Sequence, residues 1–132
     1  MTQEPASIEL KKLRYVVNGT VVLDGVDLTM GRGEVVAILG RSGTGKTTLL
    51  RLIMGLVPPT SGHIKINGLD IVGLSEQELD LIRADMGMVF QGGALFDSMT
   101  VGDNVAFGLV EHRRLPASQV AGRVRELLEM VD

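Results

Sequence analysis

The sequence contains no cysteine and no tryptophan, and its only aromatic residues are one tyrosine and three phenylalanines. Without cysteine the chain has no disulfide, no zinc–thiolate site and no thiol nucleophile, which is compatible with a reducing compartment such as the cytoplasm. Basic residues are not in excess either, since the net charge is −3 and the isoelectric point is about 5.4. A protein that holds nucleic acid by counterion release needs a basic surface, so we expect no nucleic-acid partner.

Long apolar runs are also missing, and none approaches the roughly 20 residues that cross a bilayer. The amino terminus carries Glu4 and Pro5 where a signal peptide would have a basic start and an apolar stretch. We therefore expect a soluble protein that reaches a membrane only through a partner. Its 132 residues suffice for one compact domain.

The apolar pattern predicts several β-strands. Ile8–Val17 and Val21–Met30 flank the turn signal Asn18-Gly19, so they predict an antiparallel hairpin. Glu34–Leu39 is a continuous apolar run without alternation, which predicts a strand buried on both faces, as in parallel sheets. Shorter strands are predicted at His63–Asn67, ending in the turn Asn67-Gly68, and at Met86–Phe90.

Other segments carry helical signals. Lys46–Leu56 has apolar residues at helical spacing, and Pro58-Pro59 would stop that helix. Ser75 with Glu78 three residues later is a capping-box pattern, which opens a short helix to about Arg83. Further helices are predicted at Asn104–Arg113 and Ala117–Val131, with Pro116 between them. Strands that alternate with helices indicate an α/β protein.

The segment Gly40–Thr47 fits the pattern G-x-x-x-x-G-K-[ST] at every fixed position, between a predicted strand and a predicted helix. Its glycines let successive backbone N–H groups point inward as an anion nest, and the helix start adds unpaired N–H groups. Lys46 can reach the β- and γ-phosphates, and the Thr47 hydroxyl can ligate Mg²⁺. The predicted nucleotide-binding residues are Gly40, Arg41, Ser42, Gly43, Thr44, Gly45, Lys46, Thr47 and Thr48.

An incidental glycine-rich turn is the alternative interpretation of this loop. The motif alone also leaves small-molecule kinases, GTPases and ATPases open.

The residues around the loop narrow the choice. Four further segments occur in the order found in ABC transporter ATPases: VLDGVDLTMGRGEV from Val22, LLRLIMGL from Leu49, PTSGHI from Pro59 and GMVFQ from Gly87. The chain resembles that family from about Ile8 to its end. The stretch QGGALFDSMTVGDNVAF at residues 91–107 is followed further on by Glu111-His112. Together they look most like the ATPases of Mla- and Mce-type lipid transporters, which include the toluene-tolerance proteins.

The resemblance implies an α/β fold of the P-loop NTPase class, with a RecA-like core and an N-terminal antiparallel β hairpin. Residues 1–91 would form the nucleotide-binding part, and residues 92–132 the Q-loop region and the start of a helical subdomain. It also implies ATP and Mg²⁺ as cofactors, a membrane permease and a second ATPase subunit as partners, and a place on the cytoplasmic face of the cell membrane. The transported substrate would be a lipid or another hydrophobic compound.

The resemblance assigns further roles to individual residues. Gln91 would touch Mg²⁺ or the attacking water, so Thr47 and Gln91 are the metal candidates; a polar cap on the preceding strand is the alternative for Gln91. The segment 92–104 would receive the permease, unless it is an ordinary loop. The family's adenine-stacking aromatic would fall at Val17, so Tyr15 is the substitute candidate, with simple packing as the alternative. Polar side chains without an assigned role are His63, Asp85, Asp97, His112, Arg113 and Arg114. A position near the permease is the alternative for His112 and the two arginines.

Some motifs of the family are missing from this sequence. There is no LSGG-type signature, no apolar run ending in Asp-Glu and no switch histidine after it. The chain therefore resembles the N-terminal half of a cassette, without a catalytic residue, that binds Mg-ATP but hardly hydrolyses it. A non-hydrolysing binding fragment, or another P-loop enzyme such as a small-molecule kinase, is the alternative. Because the strands at Glu34–Leu39 and Met86–Phe90 would lack neighbours, we also expect poor folding of the chain alone.

Overall fold

A computed structural model describes residues 7–112 and 115–131, and the chain divides into a first unit, Met1–Met86, and a second unit, Gly87–Asp132. The first unit contains β1 (Ile8–Val17), β2 (Thr20–Met30), α1 (Lys46–Ile53), β3 (Ser61–Ile66), β4 (Leu69–Asp70) and α2 (Glu76–Arg83). The second unit contains α3 (Val101–Glu111) and α4 (Ala117–Glu129).

The predicted hairpin of β1 and β2 is confirmed. Asn18 and Gly19 have φ angles of 49° and 75°, which are the left-handed conformations of a tight hairpin turn. β1 also pairs antiparallel with β3, so the sheet has the order β2-β1-β3-β4. The turn at Asn67-Gly68 joins β3 to β4 as predicted, although β4 itself has no clear signal in the sequence.

A β-bulge in β1 positions two core residues. Lys12 has a φ of 48°, and its backbone N–H donates to Asp27 Oδ1 at 2.8 Å. Because the bulge inserts an extra residue, Leu10 and Leu13 both point to the buried face although they are three positions apart. The core of the first unit consists of Leu10, Leu13, Leu23, Leu49, Leu52, Ile53, Ile64, Ile66, Ile71 and Leu79.

Helix α1 packs on this core through Leu49, Leu52 and Ile53, but it ends three residues earlier than predicted. Gly55 adopts a φ of 64°, and the N–H groups of Gly55 and Leu56 donate to the carbonyls of Leu52 and Arg51 at 2.9 Å. This pattern is a Schellman motif, which closes the helix before any proline is reached. The prediction that Pro58-Pro59 stops the helix was therefore wrong.

The strands predicted at Glu34–Leu39 and Met86–Phe90 are absent from the described residues. Val35, Leu39 and Val89 are 96%, 91% and 91% exposed. A strand forms only when a neighbouring strand satisfies its backbone N–H and C=O groups, and no described strand pairs with either segment. Their apolar composition is that of buried strands, but their partners are not among the described residues.

The second unit is a pair of helices. α3 begins three residues before the predicted start, because Thr100 and Asp103 form a capping box that the sequence reading missed. α4 begins at Ala117 as predicted and ends at Glu129. Arg113 and Arg114 lie outside the described residues.

Candidate phosphate-binding site

Gly45 connects the glycine-rich loop to α1 and lies directly against β2. It is the N-cap residue of the helix, with a left-handed φ of 90°. A Cβ atom at Gly45 would stand 3.0 Å from Val22 Cγ1, 3.1 Å from Leu23 Cδ2 and 3.2 Å from the Val22 carbonyl oxygen. Both the angle and the close neighbours disfavour a side chain, so glycine is favoured here on two independent grounds.

The Lys46 side chain lies within the loop. Its Nζ donates to the carbonyl oxygens of Gly40 and Arg41, both at 2.7 Å. The Thr44 hydroxyl donates to the Arg41 carbonyl at 2.9 Å, and a Cβ at Gly40 would stand 2.8 Å from that hydroxyl oxygen. These contacts fold the loop around the ammonium group, which is therefore part of the loop rather than a free surface charge.

The N-terminus of α1 is suited to an anion. The N-cap Gly45 provides no side-chain acceptor, and the first turn contains no acidic residue. No capping side chain therefore accepts hydrogen bonds from the N–H groups of this turn or neutralises the positive end of the helix dipole. The Lys46 ammonium adds a positive charge next to these groups. Thr47 is exposed and Thr48 is half-buried in the same turn, while Arg41, Ser42, Gly43 and Thr44 are exposed along the loop. This arrangement can bind a phosphate group.

A cavity of about 270 Å³ opens beside the loop. Its apolar side is formed by Leu23 and Leu49 of the core together with Ile38 and Leu39, which precede the loop. Its polar side is formed by the loop itself, including Lys46. Since no regular strand forms at Glu34–Leu39, the loop is held by β2 and α1 rather than by a preceding strand.

Arg83 of α2 holds the opposite end of α1, a role that the sequence reading missed. Its guanidinium donates to the carbonyls of Met54 and Gly55 at 3.1 and 2.7 Å. It also pairs with Glu76 and Asp80, each at 3.0 Å, and the hydrogen bond to Glu76 is the largest cause that raises the pKa of Arg83 above its ordinary value. A cation at this end complements the helix dipole and fixes the direction in which α1 presents its N-terminus. An isolated arginine in a helix carries no sequence signal for such a contact.

Tyr15 is half-buried against the core of the first unit, opposite Leu23 in the β1–β2 pairing. Val17, two residues further along β1, is 40% exposed. The packing of the ring on the core is thus observed, while stacking of Tyr15 on a base stays a prediction.

Gln91 lies in an exposed turn at the start of the second unit. The described residues include no group of three histidine, cysteine, aspartate or glutamate side chains that could hold a metal ion.

His63 pairs with Asp70 at 2.6 Å across the β3–β4 hairpin. Desolvation of the Asp70 carboxylate by itself would raise its pKa. Hydrogen bonds from the Val72 N–H and from His63 outweigh this effect, so the pKa of Asp70 lies below its ordinary value. Asp85, Asp97 and His112 are exposed.

The sequence pattern of the family described as "ABC transporter" matches residues 23–132. Among curated proteins, the intermembrane phospholipid transport system ATP-binding protein MlaF of Haemophilus influenzae is 44% identical over 94% of this chain and 47% of its own length. The methionine import ATP-binding protein MetN of Rhizobium johnstonii is 46% identical over 98% of this chain and 36% of its own length. The chain thus spans about half or less of the length of these relatives.

The fold is also similar to that of solved cassettes. The dimeric, post-hydrolysis structure of the ATP-binding cassette MJ0796 bound to ADP and phosphate superposes with a TM-score of 0.82 at 33% identity, covering 93% of this chain and 56% of that one. The predicted P-loop NTPase fold is confirmed by this likeness, even though two of the predicted strands are not formed.

Proposed function

The chain belongs to the ABC transporter family of ATP-binding proteins, and we propose that its Gly40–Thr47 loop binds the phosphates of Mg-ATP for a transport subunit. The observation that carries this proposal is the junction of loop and helix. Gly45 presents an uncapped helix N-terminus without acidic residues, and the Lys46 ammonium lies in the adjoining loop. A phosphate placed there would accept hydrogen bonds from backbone N–H groups and from Lys46. Membership of this family removes the reason for the kinase alternative.

Magnesium fits this site only together with the nucleotide. The described residues include no cluster of acidic or histidine side chains that could hold the ion, so the nucleotide phosphates would supply part of its ligands. The Thr47 hydroxyl, exposed in the first turn of α1, would be one ligand, and Gln91 would reach the ion or a water bound to it. When bound, Mg²⁺ would neutralise part of the phosphate charge. The support for Gln91 is the resemblance of its sequence context alone.

Hydrolysis by this chain alone is not part of the proposal. Phosphoryl transfer to water requires a group that positions the water and charges that stabilise the γ-phosphate. The sequence contains neither the Asp-Glu pair nor the signature loop that supply these functions in the family. We therefore propose that these 132 residues bind ATP without turnover, and that a second ATPase subunit would supply the signature loop but not the Asp-Glu pair.

One experiment tests whether the chain hydrolyses ATP by itself. ATP hydrolysis would be measured for the chain alone, for the chain mixed with a full-length homologous subunit, and for Lys46→Ala in both settings. We expect no turnover by the chain alone, whether or not Lys46 is present. Turnover by the isolated chain that depends on Lys46 would contradict the proposal that hydrolysis needs further residues.

We also propose that the transported substrate is a lipid or another hydrophobic compound and that the chain acts at the cytoplasmic face of the membrane through a permease. The support is the similarity to MlaF and the resemblance of residues 91–107 to lipid-transporter ATPases. The methionine importer subunit is about as similar, so overall identity does not separate the two substrate classes. None of the described helices is long and apolar enough to cross a membrane. Co-purification with the membrane subunit of a phospholipid transporter, but not with that of a methionine importer, would support the lipid assignment.

A further inference from the structure

One side chain in the second unit makes an unusual number of hydrogen bonds to a single loop. Asn104, in the first turns of α3, accepts a hydrogen bond at Oδ1 from the backbone N–H of Phe96 at 2.8 Å. Its Nδ2 donates to the carbonyl oxygens of Phe96, Met99 and Thr100 at 3.1, 3.3 and 3.0 Å. The side chain thus holds both the start and the end of the segment 96–100.

The chemistry of these contacts requires an amide at position 104. One oxygen faces an N–H group, and one NH₂ group faces three carbonyl oxygens. Rotating the amide by half a turn would place its oxygen against the three carbonyls, so the network fixes a single orientation. Aspartate could keep the acceptor but would lose both donors.

Local helix bonding does not explain this pattern. Only the bond to the Thr100 carbonyl has the four-residue spacing at which a polar side chain bonds back onto its own helix. The bonds to Met99 and Phe96 reach five and eight residues back, into the loop. The cap of α3 is provided separately by Thr100 and Asp103, so Asn104 is not needed to start the helix.

Exposed apolar side chains lie on the loop that Asn104 holds and on the neighbouring helix α3. Phe96 and Phe107 are 45% and 41% exposed, and their rings lie 4.8 Å apart. No residue of α3 or α4 is buried, so little core is available in the second unit to hold the loop. Apolar side chains on a loosely held loop would collapse onto one another, whereas hydrogen bonds to the backbone keep one conformation.

We propose that Asn104 is a positioning residue that acts as a latch: it fixes the backbone of residues 96–100 and thereby the orientation of the exposed Phe96 ring. None of these contacts involves Gly40–Thr47 or Gln91, so the latch is built without residues of the proposed nucleotide site. It gives a defined shape to part of the segment 92–104, whichever molecule that segment meets.

Amide hydrogen exchange in the 132-residue chain tests the latch. The variants are Asn104→Ala, Asn104→Asp, which keeps the size and one acceptor, and Phe107→Ala, which removes the ring contact but leaves the latch intact. We expect exchange at the Phe96 amide to accelerate at least about tenfold in Asn104→Ala, which loses the acceptor of this amide. We expect the same in Asn104→Asp, because a carboxylate oxygen would replace the NH₂ group against three carbonyl oxygens and displace the loop. In Phe107→Ala we expect a change below about threefold.

The outcomes separate the latch from a general structural role. Protection of the Val124 and Leu127 amides in α4 should stay unchanged in the Asn104 variants. If it falls together with that of Phe96, Asn104 supports the whole unit and the latch is refuted. A normal Phe96 exchange rate in Asn104→Asp, or an effect of Phe107→Ala as large as that of Asn104→Ala, would refute it equally.

Discussion

Gly45 and Val22 are in such close contact that the Val22 carbonyl oxygen lies 3.2 Å from where a Gly45 Cβ would be. The contact connects the second strand of the hairpin to the N-cap residue of α1. Its effect is to set the depth at which α1 sits on the sheet. The hairpin therefore has a direct part in positioning the site, which the loop motif alone does not reveal.

Substitution of Gly45 should be much more costly than substitution of Gly43, although both have left-handed φ angles, of 90° and 82°. Gly43 has open space around its Cβ position, so Gly43→Ala adds only backbone strain, about 1 kcal/mol. Gly45→Ala adds overpacking against Val22 and Leu23, for a total of about 2–4 kcal/mol. Urea denaturation of the two variants measures the difference. Equal losses would show that the contact with β2 does not position the helix.

Tyr15 provides a test of packing against base stacking. Its ring packs on the core of the first unit. Tyr15→Ala should lower the free energy of unfolding by about 2 kcal/mol, whereas Tyr15→Leu should restore most of it. If the ring only packs, the affinity of Tyr15→Leu for Mg-ATP should stay within about threefold of the unchanged protein, because stacking on a base would contribute about 1–3 kcal/mol. A selective loss of ATP affinity, with tripolyphosphate binding retained, would show stacking.

Acid should weaken the capping box of α2. The hydrogen bond from the Ser75 hydroxyl is the first cause that holds the pKa of Glu78 below its ordinary value of 4.5. Since the folded pKa is the lower one, the ionised carboxylate stabilises the fold above about pH 4.5, and this contribution is lost as pH falls through the folded value. Glu78→Gln should therefore lose less stability between pH 6 and pH 3 than the unchanged protein. Glu9 and Asp70 also have lowered pKa values, and their loss of stability in acid should be the same in Glu78→Gln and in the unchanged protein.

Local signals in the sequence were sufficient for the helices and the hairpin. The capping box at Ser75 and Glu78 and the turn at Asn18-Gly19 appear in the structure at the predicted places, because each depends on residues that are close in sequence. The cap at Thr100 was missed because aspartate takes the place of the usual glutamate three residues later. The C-terminus of α1 was misplaced because Gly55, rather than the prolines that follow it, ends the helix.

Contacts between distant residues could not be predicted in the same way. The apolar run Glu34–Leu39 has the composition of a buried strand, yet a strand also needs a partner, and the pattern does not say where that partner is. The hydrogen bonds from Arg83 to the end of α1 join residues 28 and 29 positions apart. No repeating pattern in the sequence indicates a contact of this kind. The loop motif, by contrast, is recognisable in the sequence because it consists of eight consecutive residues.

Binding of Mg-ATP by the chain, measured by calorimetry beside Lys46→Ala and the matched control Lys65→Ala, tests the central claim most directly. Lys65 is a partly exposed lysine of the same unit, on the sheet rather than in the loop. We expect saturable binding that Lys46→Ala weakens at least about tenfold, as expected for the loss of a charged hydrogen bond of 1.5–3 kcal/mol, and that Lys65→Ala leaves unchanged. A folded sample that does not bind Mg-ATP, or equal affinities for the unchanged protein and Lys46→Ala, would contradict the assignment of Gly40–Thr47 as the phosphate-binding loop.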